Sequence, residues 1–304
     1  MYARPPRLLS ARRDARSALA PGAFAWAAVA LLGWAVPAPA GPELIAVLPS
    51  EAREFVSAGR PIRVDRYAAV APGPGRPVLI VLHAVDGMEG ENGLAYRALA
   101  RDHAALGYDV CLVHYFDATG AAPEDADSYR RLVTRTFVAP LNVGERTRMK
   151  ELFSAWTRTA ADAVGWARSQ SENAGSRVAL VGFSLGGAVA LASAGRCSSP
   201  PAAVVDFFGV VPWEMRLDLR RLPPTLIIHG DADRMVPVDE VYRLTGWLVS
   251  RRQRPELEVY AGADHMFYLN GTTPQPLLML WARLRTASFL AEHLPVPPPV
   301  TPLP

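Results

Sequence analysis

Cysteine, lysine and long apolar runs are all scarce in this chain. Its 304 residues include two cysteines, Cys111 and Cys197. Two thiols cannot build a disulfide scaffold, and no Cys/His spacing of the metal-binding kind accompanies them, so neither a metal nor another cofactor is expected. Cys111 falls inside the apolar run "DVCLVHYF" and Cys197 just past the stretch that follows Ser184, so two separate, buried or half-buried thiols are expected. Lys150 is the single lysine among 32 basic residues. The formal charge of +3 is unevenly spread: residues 1–40 hold five Arg against one Asp, leaving 27 basic and 28 acidic residues beyond them. The remainder is near neutral, so the overall positive charge does not argue for a nucleic-acid partner, and none is expected.

No apolar run reaches membrane-spanning length. The longest candidate, Ala23–Val36, has 14 residues. As a helix it would be about 21 Å long, short of the ~30 Å hydrocarbon core. Arginines 4, 7, 12, 13 and 16 precede it, and "APA" at 38–40 follows with a small-x-small pattern. Residues 1–40 therefore read as an export signal cleaved before Gly41, giving a periplasmic or extracellular protein without stable membrane insertion. An uncleaved membrane anchor is the alternative. Arg12-Arg13 lacks the apolar residues a twin-arginine route expects after the pair, and no cysteine near Ala40 marks a lipoprotein.

What is present is alternation. The continuous apolar run at 77–83 reads as a strand buried on both faces, and 108–117, 177–183, 202–209, 225–230 and 257–262 read as further strands. Helix-length stretches separate most of them, at 93–107, about 145–170, after Ser184, 238–252 and 276–293. This predicts an α/β fold with a mostly parallel central sheet and helices on both faces. One domain is expected over residues 41–294, with 42–76 a mixed lead-in and the Pro-rich 295–304 an extended or disordered tail.

One polar residue interrupts the run "VALVGFSLGGAVALASAG" at its corner. "GFSLG" matches Gly-x-Ser-x-Gly, in which a serine sits on a strained strand-to-helix turn and tiny neighbours let strand and helix approach. A serine hydroxyl needs a base within hydrogen-bond reach, and the base needs an acid to fix its tautomer. Both are available downstream in the order Ser, Asp, His. "TLIIHGDADRMVP" brings Asp231 and Asp233 past one strand, and "LEVYAGADHMF" brings His265 past the next. Asp233 is favoured as the acid because Val236-Pro237 stiffens the chain after it; Asp231 stays open as the alternative. The oxyanion donors expected are the amides of Leu185 and Val85, with Ala84 the alternative in the Gly-rich loop "LHAVDGMEGEN". His83 and His229 end strands and read as packed supports of the site. His114 reads as a core or rim residue inside its strand, and His103 and His293 as solvent-facing.

"VLIVLHAVDG", "ALGYDVCLVHYFDATG", "VALVGFSLGGAVAL", "TLIIHGDADRMVP" and "AGADHMFYLN", in that order, resemble the dienelactone hydrolase family of α/β-hydrolases. The resemblance implies the α/β-hydrolase fold, with Ser184 as nucleophile, Asp233 as acid, His265 as base, and Val85 and Leu185 as oxyanion amides. Two departures bear on substrate. The family's founding enzymes use a cysteine nucleophile with a Glu in the early loop, where this chain has Ser184 and Ala84. They also carry an Arg four residues after the catalytic His, where this chain has Leu269, near Met266 and Phe267. Both differences favour a small neutral ester with an apolar part over an anionic lactone. The expected function is a serine hydrolase of carboxylic esters acting through an acyl-enzyme, as a monomer or a dimer. A peptidase or acyl transferase with the same triad is the alternative, and a non-catalytic binding protein on this fold a further one.

Overall fold

A computed structural model describes residues 51–70, 75–120, 131–132, 135, 141–173, 175–219, 221–265, 267–268 and 275–297. The export-signal reading of residues 1–40, Met266, Leu269 and the last seven residues lie outside the described residues.

Eight strands form one sheet: β1 (Glu51–Ser57), β2 (Arg60–Tyr67), β3 (Val78–Leu82), β4 (Asp109–Val113), β5 (Val178–Phe183), β6 (Ala203–Phe207), β7 (Thr225–Gly230) and β8 (Glu256–Tyr260). Their order is β1-β2-β4-β3-β5-β6-β7-β8. From β4 to β8 every pairing is parallel, while β1 and β2 add an antiparallel edge. The sheet is the mixed, mostly parallel sheet of an α/β-hydrolase-like fold. Every residue of β3, β4, β5, β6 and β7 is buried, which is why these strands read as unbroken apolar runs.

Five helices among the described residues cover the two faces: α1 (Gly90–Ala105), α2 (Val143–Ser169), α3 (Leu185–Ala194), α4 (Val238–Ser250) and α5 (Pro276–His293). Alternate strand residues divide the core. Ile80, Leu180, Val204 and Ile227 pack with α2, α3 and α4, and Val81, Val181, Val205 and Ile228 with α1 and α5. The start of α2 is set by a capping box, in which Asn142 and Glu145 each accept the other's backbone N–H. α5 begins with Pro276, whose missing N–H costs nothing there.

Four expectations need correction. The segment before β3 is a two-stranded hairpin rather than a mixed lead-in. Ala58 and Gly59, both at positive φ, make its two-residue turn, with Ser57 opposite Arg60. His114 lies beyond β4, where a short 3-10 turn over Tyr115–Thr119 begins, with Nε2 3.3 Å from Asp65. His103 and His293 are half-buried rather than solvent-facing, because their apolar ring faces pack on Tyr108 and Phe289. The tail's first residues are docked: Val296 packs on the core, and Arg76 donates to the Pro297 carbonyl at 2.9 Å. Cys111 and Cys197 are both free thiols.

Candidate active site

Strand order reverses direction around β3, whose parallel neighbours are β4 and β5. Loops leaving the carboxyl ends of strands at such a point diverge and leave a crevice. Ser184 leaves β5 there and the Ala84–Val85 loop leaves β3, with Leu82 and Gly182 in register.

Ser184 has φ 53° and ψ −115°, a conformation an L-residue adopts only under constraint. Three backbone bonds impose it. Its N–H donates to Phe207 at 2.8 Å, and its carbonyl accepts from Gly187 at 3.0 Å and Ala188 at 3.1 Å. The corner also requires close approach: a Cβ on Gly186 would run into the carbonyls of Leu82 and His83. The first turn of α3 therefore lies directly against the loop after β3.

Ser184 Oγ is 2.8 Å from His265 Nε2, and His265 Nδ1 is 2.6 Å from Asp233 Oδ2. All three residues are buried, with only 6–7% of their surface exposed. Because a carboxylate faces Nδ1, that nitrogen carries the proton and Nε2 is left as an acceptor. Burial works against the Asp233 charge, but hydrogen bonds from His229, His265 and the Val236 amide outweigh it and hold the carboxyl well below its usual range. Oδ1 accepts from the amides of Met235 and Val236, each at 2.8 Å. His229 Nε2 donates to the Val236 carbonyl at 2.9 Å and lies 3.3 Å from Asp233 Oδ2. Asp231, in contrast, turns outward and accepts from the Gly262 amide at 2.6 Å. Of the two carboxylates left open by the sequence, only Asp233 meets His265.

The loop after β3 is fixed by side chains that the sequence pattern does not reveal. Tyr96 Oη accepts from the Ala84 N–H at 3.0 Å, so this amide is already committed. Tyr115 Oη donates to the His83 carbonyl at 2.9 Å. The Ala84 carbonyl accepts from His83 Nδ1 at 2.8 Å and from the Gly87 N–H at 3.1 Å. A trans peptide holds its N–H opposite its carbonyl, so anchoring the Ala84 oxygen aims the Val85 N–H the other way. No acceptor among the described residues takes that N–H. The Leu185 N–H opens α3 and has no acceptor within the helix.

His83 is fully enclosed, stacked on Tyr115 at 4.3 Å and edge-on to Phe116 at 4.7 Å. Burial, only partly offset by its bond to the Ala84 carbonyl, brings its pKa down to about 4 from the usual 6.5. The unfolded chain therefore takes up this proton first as pH falls. Between pH 6.5 and about 4 the folded state should lose on the order of 3 kcal/mol through this group. Urea unfolding at stepped pH should show this loss in the parent and not in His83→Asn, whose amide can donate to the same carbonyl.

Phe267 is buried and packs on Phe208 and Tyr260. Phe208, another of the few non-glycine residues at positive φ, sets its ring 5.1 Å from that of His265. Neither Tyr96 nor Phe208 carries a motif. Asp206, the lone acid within the apolar run "AAVVDFFG", did offer a signal.

The dienelactone hydrolase family model matches residues 64–276, more than two thirds of the chain. The chain belongs to the dienelactone hydrolase family. A search of curated protein sequences found no match. Among solved structures, this dienelactone hydrolase family member is similar to a Klebsiella pneumoniae protein described as a dienelactone hydrolase, with 17% identity and a TM-score of 0.61 over 80% of this chain and 98% of that one. It is also similar to the protein m3DLH, with 20% identity, a TM-score of 0.62 and the same coverage. Esterase 2 of Thermogutta terrifontis with propionate bound shares 18% identity and a TM-score of 0.57 over 83% of this chain and 97% of that one. At these identities the likeness speaks for the fold, which the family's hydrolases and this esterase share.

Proposed function

We propose that this protein is a serine hydrolase of small neutral carboxylic esters. The observation that carries the reading is the continuous relay from Ser184 Oγ through His265 to Asp233, at 2.8 and 2.6 Å. Those separations lie within the reach that general-base catalysis needs. In the first half-reaction, Ser184 Oγ bonds to the ester carbonyl carbon while its proton passes to His265 Nε2. Asp233 keeps the imidazole in the right tautomer and stabilises the imidazolium. The Val85 and Leu185 amides hold the developing oxyanion. His265 then returns the proton to the departing alcohol. In the second half-reaction water attacks the acyl-enzyme with His265 again as base, releasing the acid and free Ser184.

The neutral substrate is supported by Ala84 standing where the founding enzymes have a Glu, and by Asp86, whose carboxylate adds negative charge to the loop carrying Val85. Esterase 2 of Thermogutta terrifontis has been captured with butyrate bound and phosphorylated by paraoxon, and the same acyl and phosphoryl chemistry is proposed for Ser184. Export through residues 1–40, with release at Gly41, is part of this reading and rests on the Arg-rich opening and short apolar stretch.

The test is covalent labelling. Paraoxon should add one diethylphosphoryl group per chain, located by mass spectrometry on the peptide containing Ser184. Purified protein that takes up no label, or takes it elsewhere, would overturn the proposal. The oxyanion assignment makes a separate prediction. Tyr96→Phe leaves the Ala84 N–H without its acceptor and loosens the loop, so kcat for p-nitrophenyl acetate should fall about tenfold with KM little changed.

A further inference from the structure

Asp206 is the one acidic residue in β6 and is wholly buried. It faces α3, on the same side of the sheet as Val204. Its register partners are Gly182 on β5 and Ile227 on β7. Oδ1 accepts from the Gly209 N–H at 3.0 Å, and Oδ2 has no partner among the described residues. Two glycines make room for it. A Cβ on Gly187, in the first turn of α3, would run into Oδ1. A Cβ on Gly209 would meet Oδ1, the Ser184 carbonyl and the Ala188 amide together. The carboxyl is thus wedged where the turn after β6, the first turn of α3 and the Ser184 backbone converge.

That turn carries catalytic geometry. Phe207 accepts the Ser184 N–H at 2.8 Å, and Phe208 donates to Ile228 at 2.7 Å while its ring lies beside His265. We propose that Asp206 is a positioning residue for the reaction, locking the Phe208–Gly209 turn so that Ser184 and His265 keep their separation. The inference rests on the esterase reading of that site. Buried with a single N–H partner, the carboxyl is pushed well above the usual carboxylate range, so the locking group is the neutral acid. β5 and α3 present no ionisable side chain to it. On β7 the ionisable residue of the same face is His229, whose Nε2–H is directed to Val236 and Asp233.

Three readouts test the lock. Asp206→Asn keeps an oxygen for the Gly209 N–H and stays uncharged, so kcat on p-nitrophenyl acetate should remain within about threefold of the parent. The pH profile of kcat/KM should not move, because replacing a neutral acid by an amide changes no charge. Asp206→Ala loses the acceptor, and kcat should fall on the order of 100-fold with KM little changed, as for a small misplacement of reacting groups. Infrared difference spectra of the parent against Asp206→Asn at neutral pH should show a protonated carboxyl band. The proposal is overturned by a folded Asp206→Ala with parental kcat, by an Asn variant as impaired as Ala or with a shifted profile, or by an ionised carboxyl in the parent. Should the Ala variant not fold, the Asn kinetics and the infrared band decide the matter. The infrared readout does not depend on turnover, whereas failure of the esterase reading would appear as a parent inert to both p-nitrophenyl acetate and paraoxon.

Discussion

Ser184→Ala should abolish ester turnover while leaving the fold in place. Nucleophile and base act as a unit, so the expected loss in kcat is on the order of 10⁵ to 10⁶, about 7–8 kcal/mol of transition-state stabilisation. The proposed oxyanion amides of Val85 and Leu185 are backbone groups untouched by the change, so a small rate above the uncatalysed one should survive. Stability should change little. The strained corner is imposed by bonds to Phe207, Gly187 and Ala188, all made by the backbone, and alanine fits wherever serine did. Removing Oγ deletes one hydrogen bond to His265, worth about 1 kcal/mol. Steady-state kinetics on p-nitrophenyl esters, with thermal unfolding followed by circular dichroism, measure both halves of the expectation. A folded variant keeping more than about 1% of the parental kcat would remove Ser184 from the role of nucleophile.

The parts of this molecule legible in its sequence share a physical cause. β3 to β7 are buried on both faces, so their composition alone marks them, and the residues that end them fall at the crevice. Ser184 and Asp233 follow such strands, while His265 follows the edge strand β8, which is only partly buried; the order Ser, Asp, His made their meeting legible. β1 and β2 were not. They sit at the sheet's edge with mixed exposure, and their turn uses Ala58 at positive φ, where asparagine or glycine would have announced a hairpin. The supports of the site were hidden for another reason. Tyr96 and Tyr115 act through backbone groups of a loop, and at their own positions they look like any packed aromatic. His103 and His293 misled because charged neighbours of the one and the tail beside the other suggested solvent, while their rings pack on aromatic partners. Asp206 stands between these cases: an acid in an apolar strand is visible at once, but its purpose depends on Gly187 and Gly209, which only the fold brings together.

Asp233→Asn should lower kcat on the order of 10⁴-fold with little change in KM, and the reason is a proton in the wrong place. Asparagine can keep its carbonyl oxygen on the amides of Met235 and Val236, since both donate to Oδ1 in the parent at 2.8 Å. Its NH2 then replaces Oδ2, and a donor faces His265 Nδ1. The imidazole can satisfy that donor only by moving its proton to Nε2, where it points at Ser184 Oγ and can no longer accept the serine's proton. His229 does not rescue the base, because its Nε2–H also points toward this position and is better satisfied by Val236 at 2.9 Å. Acid stability should change in step. The Asp233 carboxyl is held below its ordinary 3.8, so its ionised form stabilises the parent above that pH and the contribution drains away as pH falls below it. Urea midpoints should therefore fall less steeply below pH 3.8 in the variant than in the parent. Asp231→Asn is the informative contrast, since this carboxylate holds only the exposed turn at Gly262 and its loss should leave kcat within about threefold. If Asp231→Asn carried the large loss and Asp233→Asn did not, the acid orienting His265 during turnover would be Asp231, and the turn after β7 would have to rearrange to bring it there.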